Sequence, residues 1–443
     1  MLRTSTALLR PTQCVEAKLR EYAEQSATLW NTANYERRRA NHQHAKMPSY
    51  AGQCKALKDT EAFRKLGTCK AQALLAKLDE AWRSYYALLR LKKSGKLPPH
   101  IRSVAPPRYR KRNGKRETTV FYVRNDGWSA NVNEISMGRG TRVPYRCGDL
   151  WVGKQGRLEV WRDEFSRNWY AHVPVEVPWE PPSRIDACRK ASLDVGVCNL
   201  AALHMEGERP TIFSGRAVLS DWVYHTKKIA SRQSNLPWGR HTSKHIGLQF
   251  RMRQRRLRHA IYAMARTIFL LLEEKGFGEL YVGDLNGIRR QPTRGRRVDQ
   301  KVHNFWAFDL IWRRLVELGE EYGIAVRKVP ERGTSRTCCL CGKQHGSRVK
   351  RGLTVCHEMH RSLNADVNGA VNLLKVAVNR FPSSLIQGAG GGDTSGSGLM
   401  AEPLLLRWNY HEWVMKSQRE ARIPHRSWVG VSNSNTKKVV KAE

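Results

Sequence analysis

The N-terminal part of the chain has the hydrophobic pattern of helices. Apolar side chains recur every three or four positions in VEAKLREYAEQSATLWNTANYERRRA and TCKAQALLAKLDEAWRSYYALLRL, as on one face of an amphipathic helix. Pro98, Pro99, Pro106 and Pro107 follow and end the pattern. The sequence therefore predicts a helical segment over residues 15–95.

From residue 117 to 178 the hydrophobic period falls towards two, which is typical of strands. Gly, Asp and Asn separate the short runs TTVFYVRN, SANVNEISM, RVPYRCG, RLEVWRD and NWYAHVPVEV. Five short antiparallel strands favour a small barrel or sandwich. PWEPP at 178–182 reads as a linker to the next domain.

Strands and long helices alternate after this linker. KASLDVGVCNLAALHM predicts two strands, and a basic helix over roughly 244–275, the strand GELYVGDL, a helix over 304–322 and the strand IAVRKVPE follow. This order predicts an α/β domain with a partly parallel sheet. Residues 381–398 contain QGAGGGDTSGSG and predict a flexible linker, and we interpret the remainder to residue 443 as a tail.

Composition points to a polyanionic partner. The chain has 78 Lys and Arg against 39 Asp and Glu, a net charge of +39, and its 14 Trp and 14 Tyr could stack on unpaired bases. Arginine predominates in the basic runs at 108–116, 251–259 and 289–297. The longest apolar stretch, Thr267–Leu272, is too short to cross a membrane. Ten scattered cysteines favour a reducing, cytoplasmic compartment.

A cysteine motif predicts a metal site. Cys338 and Cys341 form a Cys-x-x-Cys turn, and Cys356 follows after 14 residues. This spacing places thiolates around one tetrahedral Zn²⁺, with His360 as the predicted fourth ligand. His357 and Cys339 are the alternative fourth ligands, and unligated thiols in a loop are the alternative to a zinc site.

The segments around this motif resemble a known family. TSRTCCLCG, followed by Cys356-HEMHRSLNA-Asp366-VNGAVNLL, resembles the C-terminal end of TnpB proteins and compact type V CRISPR effectors. SLDVGVCNLAAL, which contains Asp194, resembles the first RuvC motif of that family, and YVGDLNGI at 281–288 lies where the second belongs. The resemblance covers roughly residues 1–375.

The resemblance implies an α+β multidomain fold: a helical recognition segment and a small β-barrel, called the wedge, before an RNase H-like RuvC domain with an inserted zinc knuckle. On this basis we expect a first wedge strand at 1–14, the recognition segment at 15–95 and the wedge barrel at 96–180. The RuvC domain is expected at 187–335 and the last RuvC helix at 361–380, with the zinc knuckle, a nucleic-acid-binding element, between them at 336–360. A linker and tail are expected at 381–443.

The implied chemistry requires carboxylates. Two metal ions about 4 Å apart need several anionic oxygens to hold them, and Asp194 and Asp366 would supply two at a pair of catalytic Mg²⁺ ions. Taken alone, Asp366 could instead cap the helix that begins near it, and Asp194 could form a turn before Gly196.

The third carboxylate departs from the family pattern. Many relatives have Glu in the second motif, where this chain has Gly283. Asp284 is adjacent, but neighbouring strand residues point to opposite faces. Glu331 ends a strand that we expect beside the Gly283 strand, and it is our predicted third carboxylate, as in relatives with a relocated Glu. Asp284, Glu317 and an inactive site are the alternatives.

The resulting expectation is an RNA-guided endonuclease that uses a guide RNA to cut matched double-stranded DNA beside a short flanking motif. The alternatives are an RNA-guided DNA-binding protein that acts by occupancy and a guide-independent RuvC-type nuclease. The latter gives no role to the long basic N-terminal half.

Overall fold

The computed structural model describes residues 1–98, 101–111, 119–138, 140–147, 150–179, 186–285, 305–331, 334, 336–343, 348–350, 352–378 and 403–415. The chain divides into two compact units, Met1–Pro178 and Trp179–Glu443. The predictions for 289–297 and 381–398 lie outside the described residues. No helix in the described part of the chain is both long enough and apolar enough to cross a membrane.

The first unit combines an antiparallel sheet with four helices. The helices are α1 (Gln13–His42), α2 (Tyr50–Leu57), α3 (Glu61–Leu66) and α4 (Thr68–Lys93). The strands are β1 (Leu2–Leu9), β2 (Val120–Val123), β3 (Ser129–Ala130), β4 (Glu134–Ser136), β5 (Arg142–Arg146), β6 (Lys154–Gln155), β7 (Leu158–Arg162) and β8 (Trp169–Glu176). Their hydrogen-bonded order is β2-β7-β8-β1-β5-β4-β3, with β6 also paired to β8.

Helices and sheet share one core in this unit. Strand β8 alternates, so that Trp169, Ala171 and Val173 are buried, and these residues pack in the same hydrophobic cluster as Leu19 and Tyr22 of α1. The helical segment and the sheet, which we expected as separate domains, are therefore one compact unit. The barrel expectation is met in part, since the pairing among the described residues is an open path from β2 to β3.

The second unit is built on a seven-stranded mixed sheet. Its strands are β9 (Asp186–Asp194), β10 (Asn199–Met205), β11 (Thr211–Ser214), β12 (Phe277–Asp284), β13 (Ala325–Pro330), β17 (Leu404–Trp408) and β18 (Trp413–Met415). The order is β13-β12-β9-β10-β11-β17-β18. Strand β12 runs parallel to β9 and β13, and β11 runs parallel to β17, whereas the other pairs are antiparallel.

Among the described residues, this unit also contains four helices and a small second sheet. The helices are α5 (Arg216–Ser234), α6 (Lys244–Glu274), α7 (Phe308–Tyr322) and α8 (Ala365–Val378). A three-stranded antiparallel sheet precedes α8 and consists of β14 (Arg348–Lys350), β15 (Leu353–Cys356) and β16 (Arg361–Asn364).

The two faces of the large sheet carry different helices. Ala191 and Leu193 of β9 lie in the core that contains α6 and α7. Ser192, between them, donates from its hydroxyl to the Ala370 carbonyl of α8 at 2.6 Å. Because side chains alternate along a strand, Asp194 faces the α8 side together with Ser192.

Residues 404–415 correct one part of the expectation of a linker and tail over 381–443. Residues 404–415 form the β17–β18 hairpin, which extends the sheet at β11. Trp408 and Trp413 are 6% and 3% exposed, and the Trp413 indole donates to the Ala260 carbonyl at 3.1 Å. Apolar burial therefore fixes this short segment in the core, although it follows a Gly-rich sequence.

Candidate active site

The sheet brings three of the predicted positions to one edge. Val282 pairs with Leu193, and Gly283 pairs with Val329. Asp194 is therefore at the end of β9 beside Gly283, and Glu331 comes directly after β13. Neighbouring strands lie about 5 Å apart, so a long side chain can cross from one strand end to the next.

Glu331 occupies the space above Gly283. A Cβ atom added at Gly283 would lie 1.9 Å from Glu331 Oε1, which is far inside van der Waals contact. Burial, followed by the nearby carboxylates of Asp194 and Asp284, raises the pKa of Glu331 to about 7. Its buried Oε1 has no hydrogen-bond partner among the described residues. The glycine thus provides the room that this carboxylate fills.

The two other candidates for the third carboxylate have different surroundings. Glu317 is exposed on α7 and pairs with Arg314 of the same helix at 3.0 Å. Asp284 forms an ion pair with Lys328 at 3.6 Å, and its side chain alternates away from the face of Gly283. Of the three glutamate and aspartate candidates, Glu331 is the one placed above Gly283.

Asp366 is held at the first turn of α8 but does not cap it. The cap is Asn364, whose side-chain oxygen accepts from the N–H groups of Asp366 at 3.0 Å and Val367 at 3.3 Å. Asn199, the first residue of β10, donates from its side-chain amide to Asp366 Oδ2 at 2.5 Å. The capping alternative for Asp366 is therefore wrong, and its carboxylate is oriented by a strand residue.

A glycine in the middle of α8 makes room for the other aspartate. A Cβ atom at Gly369 would lie 2.5 Å from Asp194 Oδ2. Gly369 follows Asp366 by three residues, and residues at this spacing share one face of a helix. Asp194 and Asp366 are thus presented to the same face of α8, and with Glu331 they form what we call the carboxylate site.

The other polar side chains of α8 hold the segment after Glu331. The amide of Asn368 accepts from the Cys339 N–H at 2.7 Å and donates to the Thr337 carbonyl at 2.9 Å. Asn372 donates to the Thr334 and Thr337 carbonyls at 2.9 and 2.7 Å, and the Lys375 ammonium donates to the Cys339 carbonyl. One helix therefore carries Asp366 and also supports the cysteine turn.

Cys338, Cys341 and Cys356 come together as what we call the thiol cluster. Their sulfur atoms lie within 4.8 Å of one another. In the part of the chain that the structure describes, this is the only group of three or more His, Cys, Asp or Glu side chains with that spacing, so the three carboxylates are set further apart. The donor set and spacing of the thiols suit a soft cation such as Zn²⁺.

The fourth ligand predicted from the sequence is not in this group. His360 ends the turn between β15 and β16 with φ at +48° and an exposed side chain, and His357 is exposed as well. Cys339 is buried, but it too lies outside the group. Met359, three residues after Cys356, packs against the hydrophobic cluster that contains the thiols.

Sequence reasoning missed several of these residues. Asn199 opens an otherwise apolar strand, NLAALHM, and Gly369 interrupts an apolar helix, so each breaks a local rule. Asn368, Asn372 and Lys375 recur at helical spacing on the buried face of α8. Polar residues on a buried helical face would have indicated a specific hydrogen-bond network.

Two family models match parts of the chain. A model described as "Probable transposase" matches residues 172–289, and one described as "Cas12f1-like, TNB domain" matches residues 308–373. The first region includes β9 and β12 of the carboxylate site. The second includes the thiol cluster and most of α8.

Individual relatives extend this similarity over most of the chain. The TnpB-like protein ORF457 of Acidianus two-tailed virus is 33% identical over 413 residues, which cover 85% of this chain and 87% of that protein. The CRISPR-associated endodeoxyribonuclease Cas12f1 of an uncultured archaeon is 20% identical over 269 residues, 56% of this chain and 49% of that protein. Among solved structures, the chain is similar in fold to a Cas12f1–sgRNA–target DNA complex, with a TM-score of 0.53, 14% identity and coverage of 82% of this chain and 83% of that chain. These comparisons confirm the resemblance inferred from the motifs.

Proposed function

Because the chain belongs to the TnpB-like protein family, we propose that it is an RNA-guided DNA endonuclease that cuts guide-matched DNA beside a short flanking motif. One observation carries the proposal that it cuts: the Glu331 carboxylate fills the space above Gly283, where many relatives have the glutamate of the second motif. The chain therefore retains three carboxylates in spite of its glycine.

The proposal includes an RNase H-like RuvC domain. The strand order β13-β12-β9-β10-β11, with antiparallel β9, β10 and β11 and parallel β12 and β13, supports this assignment. The carboxylate site would then lie at the end of the central strand β9, with α8 across it. The added β17–β18 hairpin lies at the opposite end of the strand order.

The carboxylate site fits a pair of Mg²⁺ ions. The raised pKa of Glu331 and its unpartnered buried Oε1 are what an anionic cluster shows when no cation is present to balance it. Asp194, Glu331 and Asp366 would hold the ions, with Asn199 fixing the orientation of Asp366. The chemistry supplied by two bound Mg²⁺ ions is activation of water and stabilisation of the leaving oxygen in phosphodiester hydrolysis.

The thiol cluster fits one structural Zn²⁺ ion. Cys338, Cys341 and Cys356 would be its protein ligands, and the sulfur-only set favours zinc over the hard cations that carboxylates bind. Its role would be to fix the segment that α8 supports through Asn368 and Asn372. The site is thereby separate in chemistry from the carboxylate site.

The proposed partners are a guide RNA and double-stranded target DNA. The net charge of +39 supports a polyanionic partner, and the basic run at 251–259 lies on α6. The structural relative is a complex with sgRNA and target DNA, which is consistent with these partners.

The test is cleavage of DNA matched to the RNA that copurifies with the chain. Wild type should cut with Mg²⁺. Glu331→Gln should not cut but should bind matched DNA within a few fold, because only charge is removed. Glu317→Gln is the matched control, since that glutamate is exposed and paired with Arg314, and it should cut like wild type. Asp194→Ala should lose cleavage in the same way.

Each contrary result selects another reading. A wild-type chain that binds matched DNA but never nicks it with Mg²⁺ or Mn²⁺ acts by occupancy alone. Cutting that needs no RNA indicates a guide-independent nuclease. Normal cutting by Glu331→Gln would show that the third carboxylate is elsewhere.

A further inference from the structure

The loop between α5 and α6 carries a fully exposed tryptophan. Trp238 is 102% exposed, whereas Trp222 on the preceding helix is 5% exposed. An indole left entirely in water loses the free energy that its burial would contribute, so Trp238 does not stabilise the folded chain by packing and its whole surface is open to a partner. We call residues 235–243 the aromatic tip.

The backbone of the aromatic tip is ordered by its own hydrogen bonds. The Arg240 N–H donates to the Pro237 carbonyl at 3.0 Å, and Gly239 has φ at +78°, as the third residue of a tight turn requires. The Gln233 side-chain amide donates to the His241 carbonyl at 3.1 Å, and Ser243 caps α6. The turn therefore fixes the backbone from which the indole projects into solvent.

The charge around the tip selects the class of partner. Residues 222–272 contain 11 Lys and Arg and no Asp or Glu. Lys227, Lys228, Arg240 and Lys244 are exposed on the two helices and the tip. A run of this charge attracts phosphates. A membrane fits less well, because an interfacial segment needs an apolar face and the residues beside Trp238 are mostly polar.

We propose that Trp238 stacks on an unpaired base of a nucleic acid strand whose phosphates contact the basic residues of α5 and α6. Stacking needs an open base face, so a single-stranded region fits and the interior of a duplex does not. Tyr224, 59% exposed on α5 and lying 5.7 Å from the Lys228 ammonium, offers a second aromatic surface on the same hairpin. This inference rests on the proposed function for the presence of nucleic acid, but not on cleavage.

The experiment separates stacking from charge. Purified full-length chain, freed of RNA, is titrated with labelled oligouridylate and oligothymidylate, and with abasic phosphodiester strands of the same length and sugar. Trp238→Ala should weaken binding of the base-bearing strands about tenfold, the order expected for one stacked base, and should leave abasic strands within about twofold. Trp238→Phe should restore most of the loss.

Arg240→Gln is the matched control beside it. It should lower the affinity for base-bearing and abasic strands alike and should reduce the salt dependence of that affinity. Trp238→Ala should leave the salt dependence unchanged. A larger loss on oligouridylate assigns the stacked base to RNA, and a larger loss on oligothymidylate assigns it to DNA. Equal losses on the two would support stacking that ignores the sugar.

The inference is overturned if Trp238→Ala lowers the affinity for base-bearing and abasic strands equally, or if it changes neither affinity. Because the indole is outside the core, the variant should keep the wild-type melting temperature, and this is measured alongside. A chain that cuts normally but shows no base-dependent loss retains the proposed function and loses this inference. A chain that shows the loss but never cuts retains this inference alone.

Discussion

The carboxylate site and the thiol cluster both gather acidic side chains, but the fold builds them differently. The carboxylates come from the ends of two strands and the start of α8, with Gly283 and Gly369 leaving space for Glu331 and Asp194. The thiols come from a short turn and from the end of β15. The first site is thus framed by the large sheet, whereas the second depends on the polar side chains of α8.

In both sites, burial and neighbouring acidic groups shift the pKa values of individual side chains. Burial and neighbouring carboxylates raise the pKa of Glu331 to about 7. In the thiol cluster, burial opposes ionisation of Cys338, but hydrogen bonds from the Cys341 and Leu340 N–H groups outweigh it and lower its pKa. Burial, together with the two other thiols of the cluster, raises the pKa of Cys341 to about 11. A bound cation would favour the ionised form of Glu331 and of Cys341 and would thereby lower both pKa values.

Since α8 supports both sites, we expect damage to the thiol cluster to disturb the carboxylate site, but not the reverse. Loss of the thiol cluster should loosen the cysteine turn, the Thr334–Cys339 segment and the start of α8, and hence disturb Glu331 and Asp366. Loss of a carboxylate should leave the thiols in place, because Asn368, Asn372 and Lys375 of α8, and not the carboxylates, hold the cysteine turn. The following variants test this asymmetry.

The largest effect is expected from Cys356→Ser. It should release about one zinc per chain, lower the melting temperature and reduce cleavage by about 100-fold or more, because structural zinc contributes folding free energy. Metal analysis, thermal unfolding and cleavage measure the three effects. Cys188→Ser, at an exposed cysteine, is the control and should change none of them. Wild-type chain without zinc, or Asp194→Ala that loses zinc, would contradict the asymmetry.

Gly283→Ala should separate cleavage from stability. The added methyl group would overlap Glu331 Oε1, the far end of a flexible side chain, so the carboxylate moves while the strands stay in place. We expect cleavage to fall about 100-fold, the effect of a displacement of about 1 Å in a reacting centre, with little change in melting temperature. The exchange Gly283→Glu with Glu331→Gly should recover part of the activity. Normal cutting by Gly283→Ala would remove Glu331 from the site.

Variants of Asn199 test whether cleavage depends on the orientation of the Asp366 carboxylate. Asn199→Ala should lower the cleavage rate about 10- to 100-fold, as loss of a residue that orients a metal ligand does. Asn199→Asp should be worse, because it places another carboxylate 2.5 Å from Asp366 Oδ2. Cys198→Ser, an exposed neighbour, is the control. Single-turnover cleavage rates and the affinity for matched DNA distinguish a defect in catalysis from a defect in binding. A cleavage rate of Asn199→Asp equal to that of Asn199→Ala would argue against an orienting role.

The sequence predicted the three thiols and the proximity of Glu331 to Gly283, but it did not predict the surroundings of His360. Strand periodicity and the RuvC-like motif indicated the β9 end, and the relation of Glu331 to Gly283 was expected from the pairing of their strands together with the resemblance to relatives that have a relocated Glu. Residue spacing could not show whether His360 reaches the thiols, because the direction of its side chain depends on the positive φ of its backbone in the β15–β16 turn. The three cysteines come together as their spacing predicts, whereas the direction of the histidine depends on turn geometry, which residue spacing does not determine.

The C-terminal hairpin shows a second limit. A Gly-rich segment ahead of it predicted a tail, but Trp408 and Trp413 are buried in the core. Apolar periodicity over five residues is too short to separate an edge strand from a loop. The partner strand β11 is nearly 200 residues earlier in the chain, so only the tertiary structure shows that the sheet has an edge for β17.

The smallest expected effect is the pH dependence of the carboxylate site. The pKa of Glu331 is raised from 4.5 to about 7 in the folded, metal-free chain, so its stabilising contribution is fully present below pH 4.5 and is lost as the pH rises through 7. Glu331→Gln should remove this loss, whereas Glu317→Gln should not. Mg²⁺ requires the ionised carboxylate, so the half-saturating Mg²⁺ concentration for cleavage should be about fourfold higher at pH 6.5 than at pH 8, with little change above that. Thermal unfolding with and without Mg²⁺ across this range measures the same linkage independently of cutting. A Mg²⁺ requirement that is flat between pH 6.5 and 8 would show that Glu331 is already ionised in the chain that binds the metal.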